Sequence, residues 1–594
     1  MTANAIKALV EQGKYQEVVD QLAQLEAGGV FDTFTEQEQI ECIYYKSYAL
    51  HHGLGKQQEA LQIILAARQK YTTPTDRSLL LALMTQQIYT LCGMNRFDEA
   101  REVITEGDAI LSSLTAKERE AGTYWIAFFE QRRGLYYYNK KDWDTALEYW
   151  HRALALREKI GDLSAIGNSL HNMGVCYSNK GEYDTALDYF QRTLDIAKQT
   201  GNSHWIAQVN TLIGIAYVNI KGEPDTALTY YQQALSIYEK IGNPHWIAFT
   251  LGFMVTPYIY KGELETALEY NRRCLRLSQE VYGKTENAYN LARCFYRFAV
   301  IYYYKGELDT ALDYIQQNLA FQGTIGEPYL FTWTIFLSAL VYQAQGELDR
   351  ALERLQQYLN DIEQSGNELW ISEALFHLVR VVLAQNNQSQ AQEYLTRLHQ
   401  LQSRTPNPLI YHYSRLAEAL ILKQSQRARE KFQAQPILEQ IMREEVLNFD
   451  LTALAIIQLC DLLIAEVKFY GEPDVWEEAK ALIEKLYGMA QDQHSFSMSV
   501  EALLLRAKSA AVDGKLPQAL NYYEQARLTA TEKDLTVLLA KVDTEQKRFE
   551  AEFAMWQQLI QSNVPLQERV KTAQMEDYIK QVQQMLKMTP SRES

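Results

Sequence analysis

The sequence predicts an all-α protein, an α-α superhelix built as a right-handed solenoid of about thirteen helix pairs with a C-terminal capping helix. Three observations predict it. One short phrase returns about every 40 residues, glycine falls at two fixed places in each period, and apolar residues between the glycines step by three and four.

The phrase at 180–187, Lys-Gly-Glu-Tyr-Asp-Thr-Ala-Leu, returns with small changes at 221–228, 261–268, 305–312 and 345–352. Its alanines are Ala146, Ala186, Ala227, Ala267, Ala311 and Ala351, at spacings of 40, 41, 40, 44 and 40. The glycine of the phrase suits the left-handed residue that ends one helix, and the Asp or Glu three residues on suits the first turn of the next. From the alanine an apolar stripe runs on, as in Ala186, Phe190 and Leu194. A second glycine (Gly161, Gly201, Gly242, Gly283, Gly326, Gly366) closes each period, and the following helix often opens with tryptophan.

Along the chain, residues 1–119 read as degenerate helix pairs, 120–402 as the regular array, 403–531 as degenerate pairs again, and 532–594 as capping helices with a frayed tail. Within the last segment Leu535–Ile560 reads as one long amphipathic helix. Asn563-Val564-Pro565 breaks it before a final helix that ends near Met585. The stretch 403–450 is the least regular and reads as a kink or an insertion.

Bulk composition agrees with an array. At 594 residues the chain exceeds what one core sustains, whereas a repeat needs only its neighbours. The formal charge of −16 argues against nucleic acid as the main ligand. The six cysteines form no CxxC pair, and no run of 18 apolar residues occurs. These features point to a cytoplasmic chain with no membrane insertion, no metal and no cofactor.

The pattern resembles the tetratricopeptide repeat. In that family helix A carries Gly or Ala and then Tyr, and helix B carries Ala and then an aromatic. Gly174, Tyr177, Ala186 and Phe190 fill those places, as do Gly134, Tyr137, Ala146 and Trp150, and Gly214, Tyr217, Ala227 and Tyr231. The 40-residue unit is similar to the long-helix variety of kinesin light chains and of spindle and polarity adaptors. The resemblance implies that helix A lines a concave groove and that the protein is a scaffold or adaptor binding a protein or peptide there. The alternative it implies is a sensor that takes a small ligand or signal peptide and changes pitch.

A stripe on helix A follows from that placement, at six and three residues before the Gly/Ala anchor and one and four after it. It gives Asn168, His171, Gln208 and Thr211 as polar groove residues, and Arg293, Tyr296, Tyr303, Trp333 and Phe336 as an aromatic, arginine-bearing stretch. Arg297 joins them from two before its anchor, Ala299, where related adaptors carry a peptide-gripping asparagine. Of the six equivalent places only Asn172 keeps that asparagine, and Arg132, Leu212, Phe253, Arg297 and Leu337 hold the others. A helix or a short segment therefore suits the groove better than a long extended peptide. Trp, Tyr and Arg dominate binding hot spots. A monomer is favoured over a homodimer, the rival being a dimerising coiled coil with Leu535, Val542, Phe549 and Trp556 at seven-residue steps.

No catalytic signature stands out. Gly283-Lys284-Thr285 resembles the end of a phosphate loop, but Ser278 stands where the first glycine belongs and no strand precedes it. His204 and His245 share a His-Trp-Ile-Ala phrase and read as duplicated helix starts.

Overall fold

The computed structural model describes residues 3–585 apart from short segments at 12–13, 73–75, 181, 219–222, 282–287, 324–327, 365, 406, 426, 445–448, 493–494 and 534. Gly283-Lys284-Thr285, Gly326 and the C-terminal tail therefore lie outside the described residues. Among the described residues there are helices and no β-strand, and no helix is long and apolar enough to cross a membrane.

The chain forms two compact units, Met1–Ala216 and Tyr217–Ser594. The first contains α1 (Ala3–Glu11), α2 (Tyr15–Ala27), α3 (Glu36–Tyr48), α4 (Gln57–Lys70), α5 (Ser78–Gly93), α6 (Phe97–Ser113), α7 (Ala116–Ala121), α8 (Thr123–Asn139), α9 (Trp143–Ile160), α10 (Leu163–Lys180), α11 (Tyr183–Gln199) and α12 (Ser203–Ala216). The second continues with α13 (Pro224–Ile241), α14 (Pro244–Tyr260), α15 (Leu264–Val281), α16 (Ala288–Lys305), α17 (Leu308–Leu319), α18 (Pro328–Gln345), α19 (Leu348–Glu363), α20 (Glu368–Ala384) and α21 (Gln388–Arg404). Then come α22 (Pro408–Lys423), α23 (Ala428–Phe432), α24 (Ala434–Arg443), α25 (Phe449–Tyr470), α26 (Pro473–Asp492), α27 (Phe496–Val512) and α28 (Leu516–Glu532). The last four are α29 (Thr536–Ala551), α30 (Phe553–Gln561), α31 (Leu566–Thr572) and α32 (Met575–Met585). Among the described residues the helices follow one another as hairpins, and α12 falls in the first unit and α13 in the second. The division falls inside the regular array.

The phrase has a physical reason at each place. Gly161, Gly201, Gly242 and Gly366 all take positive φ, as do Gly262, Gly306 and Gly346 within the hairpins. Lys141 holds φ 61° at the position where the later repeats have glycine, and Asn95 and Asn386 do the same at 58° and 61°. The lysine or glutamine just before the glycine reaches back to the first-turn acid of the preceding repeat. Lys180 meets Asp144 at 2.7 Å, Lys261 meets Asp225 at 2.7 Å, Lys305 meets Glu265, and Gln345 and Gln385 meet Asp309 and Asp349 at 2.9 and 2.8 Å. The asparagines that precede Trp205, Trp246 and Trp370 by three accept the tryptophan N–H at 3.0, 3.3 and 3.1 Å, closing the N-terminus of helix A.

Inside each hairpin a tyrosine of helix A stacks on one of helix B. Tyr137–Tyr149, Tyr177–Tyr189, Tyr217–Tyr230, Tyr258–Tyr270 and Tyr302–Tyr314 have ring centroids 5.1–5.7 Å apart. This pairing absorbs ten of the 39 tyrosines. Anchor Gly174 is small because a Cβ there would meet the Phe190 ring at 2.7 Å.

Two expectations change. The stretch 403–450 is neither kink nor insertion but a further hairpin, α22 with α24, whose second helix is preceded by the short α23. Leu535–Ile560 is not one helix. It is interrupted at Glu552 between α29 and α30, and buried Trp556 packs on Phe549 of α29, which in turn meets Tyr523 of α28. α29 caps the last repeat as expected. Beyond it, α31 and α32 fold back onto α25 and α27, burying Val570, Met575, Tyr578, Ile579 and Val582.

Candidate binding groove

In the first unit helix A of the regular repeats keeps one half-buried stripe. On α8 it comprises Tyr124, Phe128, Arg132, Leu135 and Tyr138. On α10 it comprises exposed Asn168 with half-buried His171, Val175 and Ser178, and on α12 it comprises Gln208 and Ile215. The other faces of these helices are buried, so the stripe is the surface left over once helix B and the neighbouring hairpins are packed. Thr211 is not part of it, since its hydroxyl donates to the Ala207 carbonyl at 3.0 Å and the residue is buried.

At the N-terminal end of this stripe stands an aromatic cluster with a cation in it. The Arg132 guanidinium lies 4.0 Å over the Tyr89 ring and beside the Tyr44 hydroxyl. Tyr48 stacks on Tyr89 at 6.2 Å and on His52 at 5.1 Å, and His52 Nδ1 is 3.1 Å from the Tyr89 hydroxyl. The π-helical turn Ala49–Gly53 places His51 and His52 there, straight after α3. Tyr44 packs edge-on against Trp125 at 5.2 Å.

Behind the cluster Arg157 is 3% exposed and donates to Gln131 Oε1, the Ala165 carbonyl and Ser169 Oγ at 2.9, 2.9 and 2.7 Å. Burial first, and then the Arg132 charge, brings its pKa down to about 10. The Nε atoms of both arginines are buried without a hydrogen-bond partner, and among the described residues no carboxylate pairs with Arg132. Burial brings His51 and His171 down to about 4, with the Arg132 charge adding to the effect at His51. Both imidazoles are thus neutral near pH 7, and the cluster carries the arginine charge alone.

The second unit treats the same stripe differently. Tyr296, Arg297, Tyr303, Trp333 and Phe336 are all buried, Tyr303 at 4% exposure and Phe336 at 0%. Trp333 meets Trp370 at 4.8 Å, and Phe336 meets Tyr358 and His377 at 4.7 and 5.1 Å. Tyr303 lies close enough to Arg380 and Asp450 to feel their charges, although α20 and α25 are far along the chain. A Cβ on Gly262, just past the end of α14, would stand 3.6 Å from the Phe496 side chain at the start of α27. Helix A of successive repeats therefore packs face to face in this unit, and these five side chains are interior. Arg293 stays half-buried, 5.2 Å over the Phe253 ring.

Of the groove residues read from the sequence, the structure leaves Asn168, His171, Gln208 and Arg293 at an accessible surface. It adds Tyr48, His52, Tyr89 and Arg132, which the stripe rule missed. Tyr48, His52 and Tyr89 sit in the degenerate repeats, where no anchor glycine sets a register. Arg132 was visible as a departure at the asparagine position, and its meaning came only with its neighbours.

Comparison with known proteins bears on the repeat. A family model described as a MalT-like TPR region matches residues 207–446, and a tetratricopeptide repeat model matches 126–199 and 165–240. No curated protein matches. Among solved structures, the apo form of the quorum sensor NprR from B. thuringiensis is 16% identical with TM-score 0.46, covering 62% of this chain and 100% of that one. Aspartyl phosphate phosphatase F from Bacillus subtilis is 17% identical with TM-score 0.43, covering 62% of this chain and 95% of that one. NprR in complex with its cognate peptide NprX is 15% identical with TM-score 0.45, covering 68% and 99%. The matched tetratricopeptide models together run from residue 126 to 446, more than half of the chain, and the chain is a tetratricopeptide repeat protein.

Proposed function

We propose that the protein is a non-enzymatic adaptor of the cytoplasm that holds a segment of another protein, or a peptide, along the inner face of its first unit. The carrying observation is the half-buried aromatic stripe around Arg132, a cation with a buried, unpartnered Nε and no carboxylate partner among the described residues. In a chain of net charge −16 such a cation favours a segment that presents a carboxylate. Tyr48 and Tyr89 bury area at low rotamer cost, and Asn168, His171 and Gln208 orient the segment by hydrogen bonds. All six cysteines are free thiols, which suits a reducing compartment.

The test is an affinity pull-down with mass spectrometry using the full chain, followed by binding measurements with the partner it finds. Arg132→Gln with Tyr89→Ala is expected to cost at least ~2 kcal/mol, roughly thirtyfold in affinity. Arg350→Gln, on an exposed face of α19, is expected to change nothing. Full affinity in the first variant, or loss in the second, overturns the groove assignment.

A further inference from the structure

The six cysteines are not alike. Cys42, Cys176 and Cys460 are pushed up to about 12 and Cys92 to about 11, each mainly by burial. Cys274 on α15 and Cys294 on α16 form a pair. The Cys294 thiol donates to Cys274 Sγ at 3.5 Å, and Cys274 Sγ lies 3.2 Å from the Ala248 carbonyl of α14. The Cys294 hydrogen bond, opposed by burial and aided by the charges of Arg297 and Arg293 and by the Ser278 hydroxyl, holds Cys274 below the usual thiol value. Cys294 is pushed up by the same hydrogen bond and by burial.

The surroundings hold this arrangement in place. Gly252 of α14 lets the Arg297 guanidinium lie flat against the helix, since a Cβ there would come within 2.6 Å of Nη1. Asn271 Nδ2 donates to the Cys294 carbonyl at 2.9 Å, fixing α16 against α15 one turn from Cys274. A nucleophilic thiolate needs nearby cations and hydrogen-bond donors, and a resolving thiol must stand at contact distance. Both conditions meet here, and among the described residues no other cysteine pair does so; the pair is 4% and 0% exposed, so only a small oxidant reaches it.

We propose that Cys274 and Cys294 are a peroxide-reactive dithiol, with Cys274 as the attacking sulfur and Cys294 as the resolving one. The Cys274 thiolate attacks one oxygen of hydrogen peroxide, the O–O bond breaks, and the departing hydroxide takes a proton to become water. Cys274 is then a sulfenic acid. Cys294 gives up its proton and attacks that sulfur, the S–O bond breaks, and a second water leaves. In sum two thiols and one hydrogen peroxide become one disulfide and two waters, and peroxide is the only oxidant required. Hydrogen peroxide is small and uncharged, so it suits a pair that larger disulfide reagents reach poorly. The resulting bond ties α15 to α16 within the second unit.

The experiment treats the full chain with hydrogen peroxide under native conditions and follows intact mass and peptide maps. The wild type is expected to lose about two mass units as one intramolecular disulfide joining the 274 and 294 peptides. Cys294→Ser is expected to stop at a sulfenic acid on residue 274 that dimedone captures, and Cys274→Ser is expected to lose the fast reaction. Melting curves establish that both variants remain folded, and the wild-type map decides alone if either does not. A disulfide between other cysteines, equal reaction of the two serine variants, or no native disulfide at peroxide levels that oxidise exposed methionines overturns the proposal.

Discussion

The helix A stripes of the two units carry the same kinds of side chain and meet opposite fates. In the first, tyrosines and Arg132 on α8 and its neighbours stay half-buried along an accessible stripe. In the second, Tyr296, Tyr303, Trp333 and Phe336 stand at equivalent helix A positions and are buried between α16, α18, α20 and α25. An aromatic stripe on helix A is thus open to a partner only where nothing of the chain's own covers it. In the second unit the covering is the chain itself, helix A against helix A, with α31 and α32 laid over α25 and α27. Glu501 on α27 records that closure, since it accepts from the Tyr578 hydroxyl at 2.6 Å and from Lys541 at 2.9 Å.

The hardest blow to this contrast is removal of the lid. A chain ending after Asn563 lacks five buried side chains of α31 and α32, each contributing about 1.5–3 kcal/mol of burial. It is expected to aggregate or to melt in two steps, as read by size-exclusion chromatography and calorimetry. A well-folded monomer in place of a stable dimer points instead to a dimerising C-terminus. Next in size, Tyr303→Ala with Trp333→Ala is expected to destabilise the second unit by about 3–5 kcal/mol per large side chain. Tyr48→Ala with Tyr89→Ala in the first unit is expected to shift the melting temperature far less. Equal losses in urea titrations erase the distinction between the two faces.

Smaller changes sharpen the comparison. Lys141→Gly relieves a left-handed φ in the first unit and is expected to stabilise it by about 1 kcal/mol. No change in the denaturation midpoint removes strain as the account of that turn. Finally, the Lys468 hydrogen bond, aided by Lys580, holds Glu576 down to about 2 against the cost of burial. A depressed carboxylate contributes stability above its unfolded value near ~4.3 and loses it as pH falls through the folded one. The seating of α32 on α25 is therefore expected to weaken between about pH 4.5 and 2. Lys468→Met is expected to flatten that part of the pH–stability curve.

The hairpins were legible because their signals are local. A glycine at positive φ, an asparagine capping a tryptophan helix, and a tyrosine pair inside one hairpin all lie within 40 residues of each other. The closure of the second unit was not legible in that way. Gly262 and Phe496 come near each other across every hairpin between them, and no single residue encodes that approach. One signal was present all the same. Phe331–Val341 on α18 and Leu451–Ile464 on α25 are apolar around nearly the whole helix, and a helix without a polar face is a buried one. The break at Glu552 had no such signal, because the backbone hydrogen bonds run on through it from Arg548 to Trp556.

The lysine- and glutamine-to-acid contacts between neighbouring repeats have a consequence for how such a chain is revised over time. Each links residues 36 or 40 apart, so each repeat offers the next the socket that it itself plugs into. Gain or loss of one whole repeat inside the array re-forms every plug with a new neighbour, whereas an excision of half that length leaves a cation facing the wrong end of a helix. The contacts are weak one by one, yet together they act as a spacing gauge that passes whole-unit duplications and penalises fractional ones.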